Sequence, residues 1–107
     1  MPILQNEQRA LEELRERLLS LYRVTDMKVF GSKARGTDGE DSDIDVMIVL
    51  AECAPAIESE IDDLVFEINL KHGCLIVPLY FGQKELESGP LSEAPVYKRI
   101  LSEGIRL

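Results

Sequence analysis

Residues 27–50, MKVFGSKARGTDGEDSDIDVMIVL, decide how this chain of 107 residues is read. Residues 27–30 read as the end of a strand, and Gly31 turns the chain. Ser32 is placed to cap a helix start, and Lys33, Ala34 and Arg35 supply one or two helical turns that Gly36 would close. After ten further residues, Asp43-Ile44-Asp45 opens the apolar run 46–50, which predicts a strand buried on both faces.

Side chains alternate along an extended backbone, so Asp43 and Asp45 point one way while Ile44 faces the core on the other. With Asp38, Glu40 and Asp41, five carboxylates fall within eight residues and repel one another unless water, salt or a cation screens them. Magnesium suits two such acids, because it takes one or two protein carboxylates, keeps waters and draws further oxygens from substrate phosphates. Upstream, the glycine lets the backbone approach an anion, a helix start presents unpaired N–H groups, and Ser32 adds a hydroxyl. Lys33 and Arg35, with Lys28 nearby, add about the charge that a triphosphate needs. The expected site is therefore Gly31, Ser32, Lys33 and Arg35 on a nucleotide, with Asp43 and Asp45 on Mg2+.

Gly31-Ser32, ten residues, then Asp43-Ile44-Asp45 resembles the signature of the nucleotidyltransferase superfamily that shares its catalytic core with DNA polymerase beta. The short chain resembles the minimal branch of that superfamily, and the order of predicted elements extends the likeness over most of its length. The resemblance implies an α/β (α+β) fold: a small mixed sheet of about three to four strands flanked by about four helices. It also implies Mg2+-dependent transfer of a nucleoside monophosphate, AMP from ATP in the first instance, to an acceptor hydroxyl with release of pyrophosphate. Carried over by position, Gly31 and Ser32 hold phosphates, and Asp43 and Asp45 are the catalytic, metal-binding acids. Some members of the minimal branch are antitoxins that pair with a helical HEPN-type ribonuclease toxin and adenylylate a tyrosine on it, so the resemblance implies a protein partner.

One part of the family pattern is missing. Fully active members carry a third carboxylate on a later strand beside the first two, whereas residues 74–81 here, CLIVPLYF, contain no acid. Glu67 and Glu85 flank that segment and read more simply as solvent-facing helix residues. The alternative reading is thus a nucleotide-binding antitoxin of weak or no turnover that acts by occluding its partner.

Length predicts one domain, residues 1–107, with no separate acceptor-binding domain, so the acceptor is expected on a partner or on a second copy in a homo-oligomer. Twenty acidic against twelve basic residues leave a net charge of −8, and no basic block occurs, which excludes free nucleic acid as a natural partner and favours a basic protein. Cys53 and Cys74 lack disulfide or metal spacing and read as reduced, partly buried thiols. No basic and apolar leader opens the chain, and the longest apolar run is the eight residues 74–81, so a cytoplasmic protein without a membrane span is expected.

Leu4, Leu11, Leu14, Leu18 and Leu21 predict a helix over residues 4–22 with that stripe in the core. A second helix runs from Pro55 to a C′ glycine at Gly73, and His72 in its last turn suits the helix dipole. Pro78 marks its strand as an edge or a bulge, open to pairing with another chain. Residues 83–87 form a short helical turn, and an amphipathic segment follows Pro95 and closes at Gly104.

Overall fold

The computed structural model describes residues 3–35 and 43–107, with Ser32 and Arg35 described by their backbone alone. Gly36 and the acids Asp38, Glu40 and Asp41 lie outside the described residues. Helix α1 (Gln5–Leu21) leads into strand β1 (Val24–Phe30), then the short helix α2 (Gly31–Arg35) and strand β2 (Ile44–Leu50). Helix α3 (Pro55–His72), strand β3 (Ile76–Gly82) and helix α4 (Gln83–Ser88) follow. A 3-10 turn (Pro90–Glu93), helix α5 (Pro95–Glu103) and the two-residue strand β4 (Ile105–Arg106) complete the order.

Among the described residues the strands form one four-stranded sheet in the order β3-β2-β1-β4. β1 runs antiparallel to β2 and β4, while β2 and β3 run parallel, a pairing that needs the crossover supplied by α3. This is the expected mixed sheet. Among the described residues five helices flank it, two of them, α2 and α4, short, in keeping with the expected number of about four.

α1 and α3 cover one face. Ala10, Leu11, Leu14 and Leu18 of α1 and Ile61, Leu64, Val65 and Ile68 of α3 close on Ile44, Val46, Ile48 and Leu50 of β2 and Val29 of β1. Each of the leucines, isoleucines and valines removed from water stabilises the fold by roughly 1.5–3 kcal/mol before conformational entropy is counted. The leucine stripe of α1 is shorter than expected: Leu4 and Leu21 lie beyond the covered stretch, and Leu21 is 61% exposed. α3 starts with Pro55 at its first turn and ends at Gly73, whose φ of 64° takes the left-handed cap that favours glycine. His72 meets a specific partner, its Nε2 lying 3.0 Å from Glu13 of α1.

Met47 and Val49 of β2, Phe81 of β3, Leu86 of α4 and Ile100 of α5 pack on the other face. Phe81 and Tyr97 meet edge to face, with ring centroids 5.4 Å apart. β4 and the 3-10 turn carry too few residues to leave a periodic signature in the sequence.

β3 is the sheet edge that Pro78 predicted, and part of that edge is taken up within the chain. Ile44 N–H donates to Leu75 C=O at 2.8 Å, so in the parallel ladder the odd residues of β3 turn their polar groups to β2 and the even ones turn outward. Asn69 takes the outward pair of Ile76: the N–H donates to Asn69 Oδ1 at 2.9 Å, and Asn69 Nδ2 donates to the carbonyl at 3.1 Å. Pro78, the next outward residue, has no N–H to donate. No helix among the described residues is long and apolar enough to cross a membrane.

Candidate functional site

The candidate residues meet where β1 ends and β2 begins. Phe30 pairs with Asp45, and Asp45 pairs with Val77, so one row across the sheet reads Phe30, Asp45, Val77. Directly paired residues share a face, and this is the face opposite α1 and α3. Ile44 is fully buried on the α1–α3 side; Asp45 is half-buried on the other; and Asp43, just before the strand, is exposed. Ile44 and Asp45 thus face opposite sides of the sheet, as the alternation predicts.

Gly31 follows Phe30 at a φ of 76°. Any side chain at residue 31 would be strained in this conformation, and its Cβ would collide with Asp45 Oδ2. The glycine turn and the second aspartate are therefore built against each other. The need for glycine is both conformational and spatial: Asp45 occupies the room a Cβ would take.

Lys33, expected on a phosphate, is only 1% exposed, and its Nζ lies 3.0 Å from Glu7 Oε1 on the first turn of α1. Glu7 is itself 4% exposed, and the same oxygen accepts the Leu4 N–H at 2.9 Å. Glu7 is a residue that sequence reasoning passed over, because an acid in the first turn of a helix reads as a solvated partner of the dipole. Its only signal was the neighbouring pattern, since a Glu three residues after Leu4 can reach back to that N–H. Ser32 and Arg35 stand in α2 by their backbone. Lys28 pairs with Met47 one row further along, on the same face as Asp45.

Val77 occupies the place on β3 beside Asp45 and is 39% exposed. The residues of β3 on this face, Val77, Leu79 and Phe81, are all apolar. Neither of the two neighbouring acids reaches the row: Glu67 lies 3.6 Å from Arg17, and Glu85 lies against Gly82 at the other end of β3. Among the described residues no group of three or more His, Cys, Asp or Glu side chains could hold a metal by itself. Two carboxylates, one exposed and one half-buried beside a glycine turn, fit a hard cation that takes its other oxygens from water and substrate.

Two further titratable groups lie at the far end of the sheet. Burial, with Glu58 at 3.4 Å, pushes the Cys53 thiol up to about 11, so it stays protonated at neutral pH. Burial also raises Tyr80, whose hydroxyl donates to Asp62 at 2.6 Å. Both cysteines are free thiols of intermediate exposure, as their spacing predicted.

A family model described as a nucleotidyltransferase domain matches residues 11–105. Among solved structures, a candidate minimal nucleotidyltransferase superposes with a TM-score of 0.60 at 24% identity, covering 100% of both chains. A toxin-antitoxin crystallised with AMP-PNP gives 0.63 at 15% identity, covering 96% of this chain and 72% of that one. A candidate nucleotidyltransferase from Sulfolobus solfataricus gives 0.59 at 16% identity, covering 92% and 76%. At these identities the structural likenesses establish the fold. No curated protein matches the chain.

Proposed function

The chain belongs to the nucleotidyltransferase domain family, and from that membership we propose that it transfers a nucleoside monophosphate, AMP from ATP, to a hydroxyl on a protein partner. The observation that carries this reading is the abutment of Gly31 and Asp45, which makes the turn and the acid a single unit. In this reading the backbone of residues 31–35 receives the β- and γ-phosphates, with Ser32 and Arg35 assisting, and Asp43 and Asp45 hold Mg2+. Lys33 would reach a phosphate only by leaving Glu7. Bound Mg2+ would supply charge neutralisation of the triphosphate.

The chain's own contribution is placement. Half burial of Asp45 between Phe30 and Val77 limits its rotamers, and the exposed Asp43 keeps one side open to substrate. The acceptor oxygen would bond to the α-phosphorus as the bond to the β-phosphate oxygen breaks and pyrophosphate leaves. Val77 cannot take the hydroxyl proton, so that proton would pass to water or to a group on the acceptor protein.

A toxin-antitoxin among the similar structures supports a protein partner, and for this acidic chain a basic surface on that partner fits. A second reading, favoured by Val77 beside Asp45, keeps nucleotide binding but neutralises the partner by occlusion without turnover.

The test is incubation of the wild type, Asp43→Asn and Asp45→Asn with α-labelled ATP, Mg2+ and the protein encoded by the adjacent gene. Transfer of label by the wild type, reduced by at least about a hundredfold in both variants, is the expected result. Equal labelling by all three would overturn the catalytic role. Neutralisation of the partner by the double variant, without label, would select occlusion.

A further inference from the structure

Glu7 and Lys33 are the buried charged residues among those described, and they face each other at 3.0 Å. Taking an ammonium and a carboxylate out of water is costly, and an apolar pair of similar volume commonly serves stability as well or better. The pair is better understood through what it joins. Lys33 belongs to α2, five residues long and far too short to hold its own shape. Glu7 belongs to the first turn of the 17-residue α1, whose Leu11, Leu14 and Leu18 are locked in the core.

The single oxygen Glu7 Oε1 receives both the Leu4 N–H and the Lys33 ammonium, so it is fixed from its own helix before it meets α2. The segment 31–35 is therefore held at its start, where Gly31 abuts Asp45, and two residues later, where Lys33 is anchored to α1, while Ala34 packs against the core. Of these contacts, the one to Glu7 ties the Lys33 side chain to the first turn of α1, and so bears on how the turn stands.

We infer that Glu7 is a positioning residue of the nucleotide site. Acting through Lys33, it sets how the 31–35 backbone stands against Asp45, and it touches no nucleotide. The inference rests on the proposal that this segment receives the phosphates. It differs from one in which Lys33 is itself a phosphate ligand held back by Glu7. In that case, removing the Glu7 charge would free the ammonium and tighten binding; if Glu7 positions the turn, the same change weakens it.

The experiment is calorimetric titration of AMP-PNP with Mg2+ into wild type, Glu7→Gln and Ile68→Val, with amide hydrogen exchange on the free proteins. Glu7→Gln keeps the shape and an acceptor for Leu4 but removes the charge. Ile68→Val trims a fully buried side chain of α3 and controls for lost stability. The expected result is a loss of affinity of at least about tenfold for Glu7→Gln, with faster exchange confined to residues 32–35, and neither change for Ile68→Val.

Affinity equal to or tighter than wild type in folded Glu7→Gln overturns the inference and leaves the nucleotide site standing. Absence of AMP-PNP binding by the wild type overturns the site itself, and the inference with it. If Glu7→Gln does not fold, Glu7→Met/Lys33→Met removes both charges from the interior. Faster exchange of residues 32–35 in that protein supports the inference, and exchange at the wild-type rate overturns it.

Discussion

Along β2, Ile44, Val46, Ile48 and Leu50 are sealed beneath α1 and α3, whereas on the opposite face Asp45 and its β3 neighbour Val77 fall outside the cluster formed by α4 and α5. The strand is the same and the residues alternate; what differs is the cover. Two helices of 17 and 18 residues close the first face, while helices of six and nine residues cover Met47, Val49 and part of Phe30 on the second. The closed face supplies cohesion, and the less covered face holds Asp45. An aspartate is tolerable on a central strand because its end of the sheet is left partly open to water.

The sharpest way to break this comparison is to damage each face alone. Ile48→Ala, a cavity in the sealed face, should cost about 2–5 kcal/mol of stability by chemical denaturation while the remaining folded protein binds nucleotide normally. Loss of nucleotide affinity out of proportion to the unfolded fraction would mean that the faces are not separable.

Gly31→Ala should cost less stability, about 1–2 kcal/mol for a left-handed alanine, yet should reduce nucleotide affinity because the new Cβ displaces Asp45. Unchanged affinity in that variant would dissociate the turn from the acid.

The smallest effect belongs to the covered side. Hydrogen bonds from His72 and then Lys71 hold the Glu13 carboxyl down at about 2 instead of 4.5. A carboxyl lowered in the folded state stabilises it above its ordinary value, and that contribution disappears as the pH falls from about 4.5 through about 2. The melting temperature of Glu13→Gln should therefore lie slightly below wild type at neutral pH, by less than about 1 kcal/mol in equivalent stability. The two should converge at the acid end, and a gap independent of pH would refute the assignment.

Much of this division was legible in the sequence. The period-two reading of Asp43-Ile44-Asp45 placed Ile44 in the core, and Pro55 and Gly73 bounded α3 because proline and a left-handed glycine act locally. Pro78 located the sheet edge for the same reason. What was hidden depends on contacts between distant residues. Lys33 reads as a phosphate ligand until Glu7, 26 residues earlier, is seen beside it. The capping of β3 by Asn69 required knowing which carbonyls face outward. Leu21 continues the helical stripe perfectly well but is left exposed.

The most direct test of the open row as a magnesium–nucleotide site is titration of ATP with Mg2+ into wild type and Asp43→Asn/Asp45→Asn. The account predicts that the wild type binds and that the double variant binds at least about tenfold more weakly with its fold intact. Equal affinity in the two proteins, or no binding by the wild type, would contradict it.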